Sequence, residues 1–268
     1  MDEHELLKER FKSAISSAVK AISENFDLEI KFDNTNTSKK NSLNLPDVAN
    51  LKNLQDFTNL RAFADSEALK IKYNNTNIYN KNEPRGSMAR ALYAIAEKIR
   101  YERIGSNKLK GVKNNIIQSY ENKFKNRKED EIKGDADVPV TEAFELYLRS
   151  HFFKIKQNKA TKKTLNYWKK LFDKNLNPKL KQLEDYIEDQ NAYAQLVAEL
   201  IDNLEFEDSE SKEKQEEHKS EKENSSSSEK NDEDTNLSQK EEETGENSDL
   251  NISNDSLESF DDKEDENQ

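Results

Sequence analysis

Apolar residues recur at three- and four-residue steps through most of the chain and become rare after Leu204. Leu6, Leu7, Phe11, Ile15, Ala18, Val19 and Ile22 have helical spacing and predict a first helix over about residues 5–24. Residues 27–33 read DLEIKFD, with Leu28, Ile30 and Phe32 alternating as in a half-buried strand. A polar run over 34–44 predicts a loop, ended by Leu45-Pro46. Leu51, Leu54, Phe57, Leu60, Ala64 and Ala68 suggest one or two short helices. Leu69, Ile71 and Tyr73 alternate again and predict a second strand, which pairs with the first as an antiparallel ribbon. An asparagine-rich loop over 74–83 follows.

Residues 86–115 form the stretch the rest is organised around. Met88, Leu92, Ile95 and Ile99 share one helix face, and Ala89, Ala91, Ala94 and Ala96 keep that helix thin. A thin, apolar helix can be surrounded by neighbours, so it belongs at the centre of the fold. Ser87 is the expected N-cap and Gly105 the expected left-handed C-cap. Gly111 closes a basic turn holding Lys108 and Lys110. Tyr93, Glu97, Arg100 and Ile104 share a stripe, and Glu102 and Arg103 lie beside it. Two readings of these charges stay open. Glu97, Arg100 and Glu102 form structural ion pairs that brace the helix, or the group is a docking surface. By position, Glu97 and Arg100 read as structural, and Arg103, Lys108 and Lys110 as the partner-binding residues.

Further helices are expected over 112–124, 140–156, 161–174 and 177–204, with a charged, exposed link over 125–137. Pro178 suits the first turn of the last helix, which is read as continuous. The expected fold class is mainly α: a helical domain over 1–204 with a small two-stranded antiparallel β-ribbon, then a disordered acidic tail over 205–268. That division follows from charge. The last 64 residues hold 25 acidic and 7 basic residues, a net of −18, while residues 1–204 carry +6. Six apolar residues among those 64 cannot bury enough surface to offset chain entropy.

The run ARALYAIAEKIRYERIGSNKLKGVKNNI resembles the signature of the CobT family, the CobT subunit of the aerobic cobaltochelatase. In that family an alanine-rich helix carries a Glu, an Arg-x-Glu pair and an Ile-Gly, followed by a basic turn and Gly-Val. Glu97, Arg100, Glu102, Ile104, Gly105, Gly111 and Val112 match. A tryptophan-containing helix followed by Ile187-Glu188-Asp189-Gln190 also resembles the family, and so does an acidic stretch after the helices. The family's C-terminal von Willebrand-type domain builds a metal site on Asp-x-Ser-x-Ser. That motif does not occur in this sequence, so the resemblance is to the N-terminal region.

Candidate chemistry is sparse. There is no cysteine, hence no disulfide framework or thiol nucleophile, which fits a reducing cytoplasm. The sequence contains no phosphate-binding GxxxxGK[ST], no GxGxxG and no HExxH. His4, His151 and His218 have no second histidine at ligand spacing. No catalytic, cofactor-binding or metal-ligating residue is therefore expected in this chain. The amphipathic start and the lack of a long apolar run lead us to expect no membrane partner and a cytoplasmic protein. Lys108, Lys110 and Lys113 with Arg100 and Arg103, and Lys154, Lys156, Lys159, Lys162 and Lys163, form basic spots. With no groove-reading motif beside them, they read as solvated faces and not as nucleic-acid contacts.

The resemblance implies a subunit of a complex that inserts cobalt into hydrogenobyrinic acid a,c-diamide during cobalamin biosynthesis, using ATP, Mg and cobalt. It implies a hetero-oligomer with a CobS-like AAA+ ATPase and a CobN-like large subunit. This chain would be the non-catalytic adaptor. The alternative is a stand-alone adaptor for another AAA+ ATPase, without the chelatase role.

Overall fold

The structure, a computed structural model, describes residues 3–33, 41–125, 129–134 and 137–204. The expected disordered tail at 205–268 lies outside the described residues. The element order is α1 (Glu3–Ser23), β1 (Glu29–Phe32), β2 (Ser42–Leu45), α2 (Leu54–Tyr73), α3 (Thr76–Asn82), α4 (Ser87–Lys108), α5 (Lys110–Lys123), α6 (Val140–Phe153), α7 (Lys159–Asn175), α8 (Leu180–Asp185) and α9 (Gln190–Asp202). Among the described residues the fold is mainly helical with one small sheet.

The alanine-rich helix is central, and α4 packs against α2, α5, α6 and α9. Leu92, Tyr93, Ala96 and Ile99 are fully buried along it. Burying each large apolar side chain is worth about 1.5–3 kcal/mol. Met88, at the first turn, is 37% exposed and marks where the core ends. In α1 the core begins at Ile15, and Leu6 and Leu7 stay exposed.

Several sequence expectations are corrected. The sheet is parallel, with Glu29 opposite Ser42 and Phe32 opposite Leu45. Its second strand is β2 and not residues 69–73. Asn41 explains the pairing: it takes a left-handed conformation (φ 65°). Its side chain donates to the Asp27 carbonyl at 2.9 Å and accepts from Asn25 at 2.7 Å. Its own carbonyl accepts from the Glu29 amide at 3.1 Å. These bonds lay 42–45 beside 29–32 in the same direction.

Residues 69–73 are instead the last turns of α2. That helix starts from a capping box in which Asn53 and Asp56 each accept a backbone N–H of the other. Leu60, Ala64, Ala68 and Leu69 continue its buried face, so helical packing overrides a five-residue alternation. Within the expected loop at 74–83, Asn75 caps α3.

Gly105 does not stop α4, and the helix continues to Lys108. A Cβ at Gly105 would lie 2.3 Å from Leu69 Cδ2, so the glycine lets α2 and α4 approach closely. At the other end the N-cap is Gly86, with φ 94°, and Ser87 is the first helical residue. Gly111 lies inside α5, and Leu109 alone joins the two helices.

The expected last helix is broken. A 3-10 turn at Asn177–Lys179 and the short α8 lead into turns over 186–188, and Asp189 then caps α9 by accepting from the Ala192 amide at 3.1 Å. The link over 125–137 is not wholly exposed either, because Ile132 is fully buried. The next residue after that link, Val138, is fully buried too, and its carbonyl accepts from Trp168 at 3.0 Å.

Candidate functional site

Two stretches far apart in sequence, 97–105 and 187–190, meet beside α4. Arg100, 1% exposed, holds them together. Its Nε donates to Glu97 Oε2 at 3.1 Å, its Nη2 to the Tyr73 carbonyl at 2.6 Å and its Nη1 to the Ile187 carbonyl at 3.5 Å. Those carbonyls end α2 and sit in the α8–α9 turn, so one guanidinium satisfies backbone acceptors that no helix uses.

Gln190 completes the group. Its side-chain amide donates to Glu97 Oε2 at 3.2 Å and Asn74 Oδ1 at 2.7 Å, and its oxygen accepts from the Asn75 amide at 2.8 Å. Tyr193 donates to the Ala96 carbonyl at 3.1 Å. Burial pushes the Glu97 carboxyl above its usual range, and Arg100 and Gln190 oppose that shift without cancelling it. Glu97 Oε1 has no hydrogen-bond partner among the described residues.

Outside this network a cleft of about 560 Å³ opens between the ends of α2 and α4 and the turn before α9. Tyr73 lies in its wall, with Lys72 and Lys108 at 5.2 Å and 5.1 Å from its ring centre. Lys108 also approaches Glu188 at 3.8 Å, a loose pair between exposed groups.

The neighbouring face of α4 carries a second cluster. Glu102 does not join Glu97 and Arg100. It accepts from Arg149 of α6 at 2.7 Å and from Ser66 of α2 at 2.6 Å. Arg149 Nε reaches Glu145 at 3.0 Å, and its guanidinium lies 3.4 Å from the Tyr120 ring centre and bonds the Tyr120 hydroxyl. Lys123 approaches Glu145 at 3.3 Å. Burial alone would raise the Glu145 carboxyl, but Arg149, Lys123 and Lys98 outweigh it and hold it at about 2. Sequence reasoning passed over Arg149 and Glu145. Their signal was an i, i+4 pair of opposite charges on an otherwise apolar helix.

The three basic residues read as a partner surface are not brought together. Lys108 overlooks the cleft. Arg103, half-buried, acts electrostatically on His151. Five helical residues separate the two, about 140° around the axis. Lys110 is exposed at the start of α5. His151 lies 3.4 Å from Glu184. Burial lowers its pKa, Glu184 opposes this, and Lys154 and Arg103 add to the lowering.

Among the described residues no three His, Cys, Asp or Glu side chains converge to hold a metal ion. Among them, too, no helix is long and apolar enough to cross a membrane. No solved structure matches the chain. The family model described as "Cobalamin biosynthesis protein CobT" matches residues 6–268, reaching from α1 through both buried clusters and on across the acidic stretch. A match over nearly the whole chain shows that it belongs to the CobT family, whose role is in cobalamin biosynthesis.

Proposed function

We propose that this chain is the coupling subunit of an ATP-dependent cobaltochelatase. The complex inserts cobalt, its metal substrate, into hydrogenobyrinic acid a,c-diamide. A CobS-like AAA+ ATPase hydrolyses ATP with Mg, and a CobN-like large subunit holds the macrocycle. This chain joins the two in the cytoplasm and performs no bond chemistry of its own. The family match carries the reading. It is supported by the use to which the shared residues are put: Arg100 and Glu97 bond to backbone and to Gln190, and Glu102 bonds to Arg149. Side chains spent on tying helices together suit a rigid docking body better than an active site.

The test is cobalt insertion reconstituted from the ATPase, the large subunit and this chain. Insertion should require all three, and native protein isolated from its own cells should bring the ATPase with it. Full insertion without this chain would overturn the reading. So would turnover by this chain alone that a point substitution in it abolishes.

A further inference from the structure

The cleft beside the Arg100 network holds charges of both signs, sorted by the segment that supplies them. Lys72, Arg100 and Lys108 come from α2 and α4, and Glu188 and Asp189 from the turn before α9. Tyr73, Ile78 and Ile104 add apolar surface, and Gln190 and Asn191 complete the lining.

Most of these polar groups are already committed. Lys72 pairs with Glu24 at 2.7 Å. Asp189 accepts from the Ala192 amide and so caps α9. The Gln190 side chain is bonded to Glu97, Asn74 and Asn75, and Asn191 accepts from Asn82 at 3.3 Å. Three groups are not used up. Arg100 has five N–H donors and bonds through three of them, one at the long distance of 3.5 Å. The other two have no partner among the described residues. Lys108 and Glu188, 52% and 73% exposed, lie 3.8 Å apart, near the far limit of an ion pair.

A carboxylate reaching Arg100 and Lys108 would take donors that nothing else takes. An ammonium beside Glu188 would give that glutamate a closer partner than Lys108. A ligand of one sign cannot do both, because an acidic one meets Glu188 and Asp189 and a basic one meets the three cations. A zwitterion can. In a free α-amino acid the two charges sit on one carbon, which matches the short separation of Lys108 and Glu188. A segment within a protein chain has no such pair, so the acidic residues of this chain do not imitate it. The volume of about 560 Å³ leaves room for a bulky side chain against Tyr73, Ile78 and Ile104. We propose that the cleft binds a free α-amino acid with a large apolar side chain, its carboxylate on Arg100 and Lys108 and its ammonium on Glu188. This goes beyond the chelatase reading and does not rest on it, since binding is read without cobalt, ATP or another subunit.

The probe is L-phenylalanine, titrated into the full chain at neutral pH and about 50 mM salt and followed by isothermal titration calorimetry. Binding should saturate at one molecule per chain. N-acetylphenylalanine lacks the ammonium and phenylalanine amide lacks the carboxylate, and each should bind roughly tenfold more weakly. Glycine, without the apolar body, should also bind roughly tenfold more weakly. Lys108→Gln and Glu188→Gln change exposed residues and should melt like the parent. Each should weaken phenylalanine about threefold, as expected of a rim charge. Glu188→Gln should leave the already weak N-acetylphenylalanine unchanged, and Lys52→Gln, away from the cleft, should change nothing. Absence of saturable binding, or equal binding of either capped form, would overturn the proposal. So would parental affinity in both cleft variants. Displacement of phenylalanine by an equal concentration of hexaglutamate would make the cleft a site for acidic chains and overturn the zwitterion.

Discussion

Two arginines, Arg100 of α4 and Arg149 of α6 packed against it, are buried to the same degree, 1% exposed, yet they solve opposite problems. Arg149 meets two carboxylates, a tyrosine hydroxyl and a tyrosine ring, so its charge is more than matched. Arg100 meets one carboxylate and two backbone carbonyls. The acids report the difference. Glu145 is held far below its usual range beside Arg149 and Lys123, and Glu97 is pushed above it beside Arg100. The Arg149 cluster is held by charge, and its removal strands charge. The Arg100 cluster is held by geometry, because it closes two chain ends that would otherwise leave carbonyls unpaired. Burial alone therefore does not say what an arginine is for.

The contrast breaks most visibly at Arg149. Arg149→Ala leaves Glu102 buried without its cation and Glu145 with Lys123 as its remaining ion-pair partner, and chemical denaturation should show a loss of roughly 3–5 kcal/mol. A loss below about 1 kcal/mol would mean that water reaches both acids and the cluster is not sealed.

Acid titration sharpens the comparison. The folded-state pKa of Glu145, about 2, lies below its ordinary 4.5. A depressed carboxyl contributes stability above its unfolded value and loses it as pH falls through the folded one. Glu145→Gln should therefore cost on the order of 3 kcal/mol at neutral pH. The gap from the parent should close between about pH 4.5 and pH 2. A gap that stays constant across that window would show that packing, and not charge, is what the glutamate supplies.

The smallest of the three effects belongs to Arg100→Ala, and its deficit also shrinks on acidification, but above pH 4.5 instead of below it. Glu97 is already raised, so its ionisation opposes folding, and losing Arg100 strengthens that opposition. The deficit should be largest near neutral pH, about 2–3 kcal/mol. It should shrink on acidification toward the ordinary carboxyl value of 4.5, as Glu97 takes a proton. What remains at low pH measures the two unpaired carbonyls, of Tyr73 and Ile187. A deficit that grows on acidification would contradict the raised Glu97.

Legibility in the sequence followed the length of the pattern. The helices over 110–123, 140–153 and 159–175 carry two or more turns of apolar periodicity and were readable to within a few residues. Short patterns misled. Leu69, Ile71 and Tyr73 alternate, but only Leu69 is buried, under Gly105, and its neighbour on the core face is Ala68. β2 has just Leu43 and Leu45 as apolar residues, and its partner was decided by the hydrogen bonds of Asn41. At the candidate site, Glu97, Arg100 and Glu102 stood out because charges on an alanine-rich helix are conspicuous. Their partners did not, because Tyr73, Ile187, Gln190 and Arg149 are brought to them by folds of the chain from 27 to 93 residues away.

The sequence by itself determined a central thin helix, a helical body, the point where apolar periodicity ends at Leu204, and the family. These are properties of composition and of spacing within single elements. The tertiary structure alone decided that Arg100 and Glu102 face different neighbours and that Gly105 is a contact and not a stop. It also decided that Ile187 sits in the turn before α9, where its carbonyl accepts from Arg100. Each of these depends on which groups from distant segments come within a few ångströms, and periodicity along one segment carries no record of that.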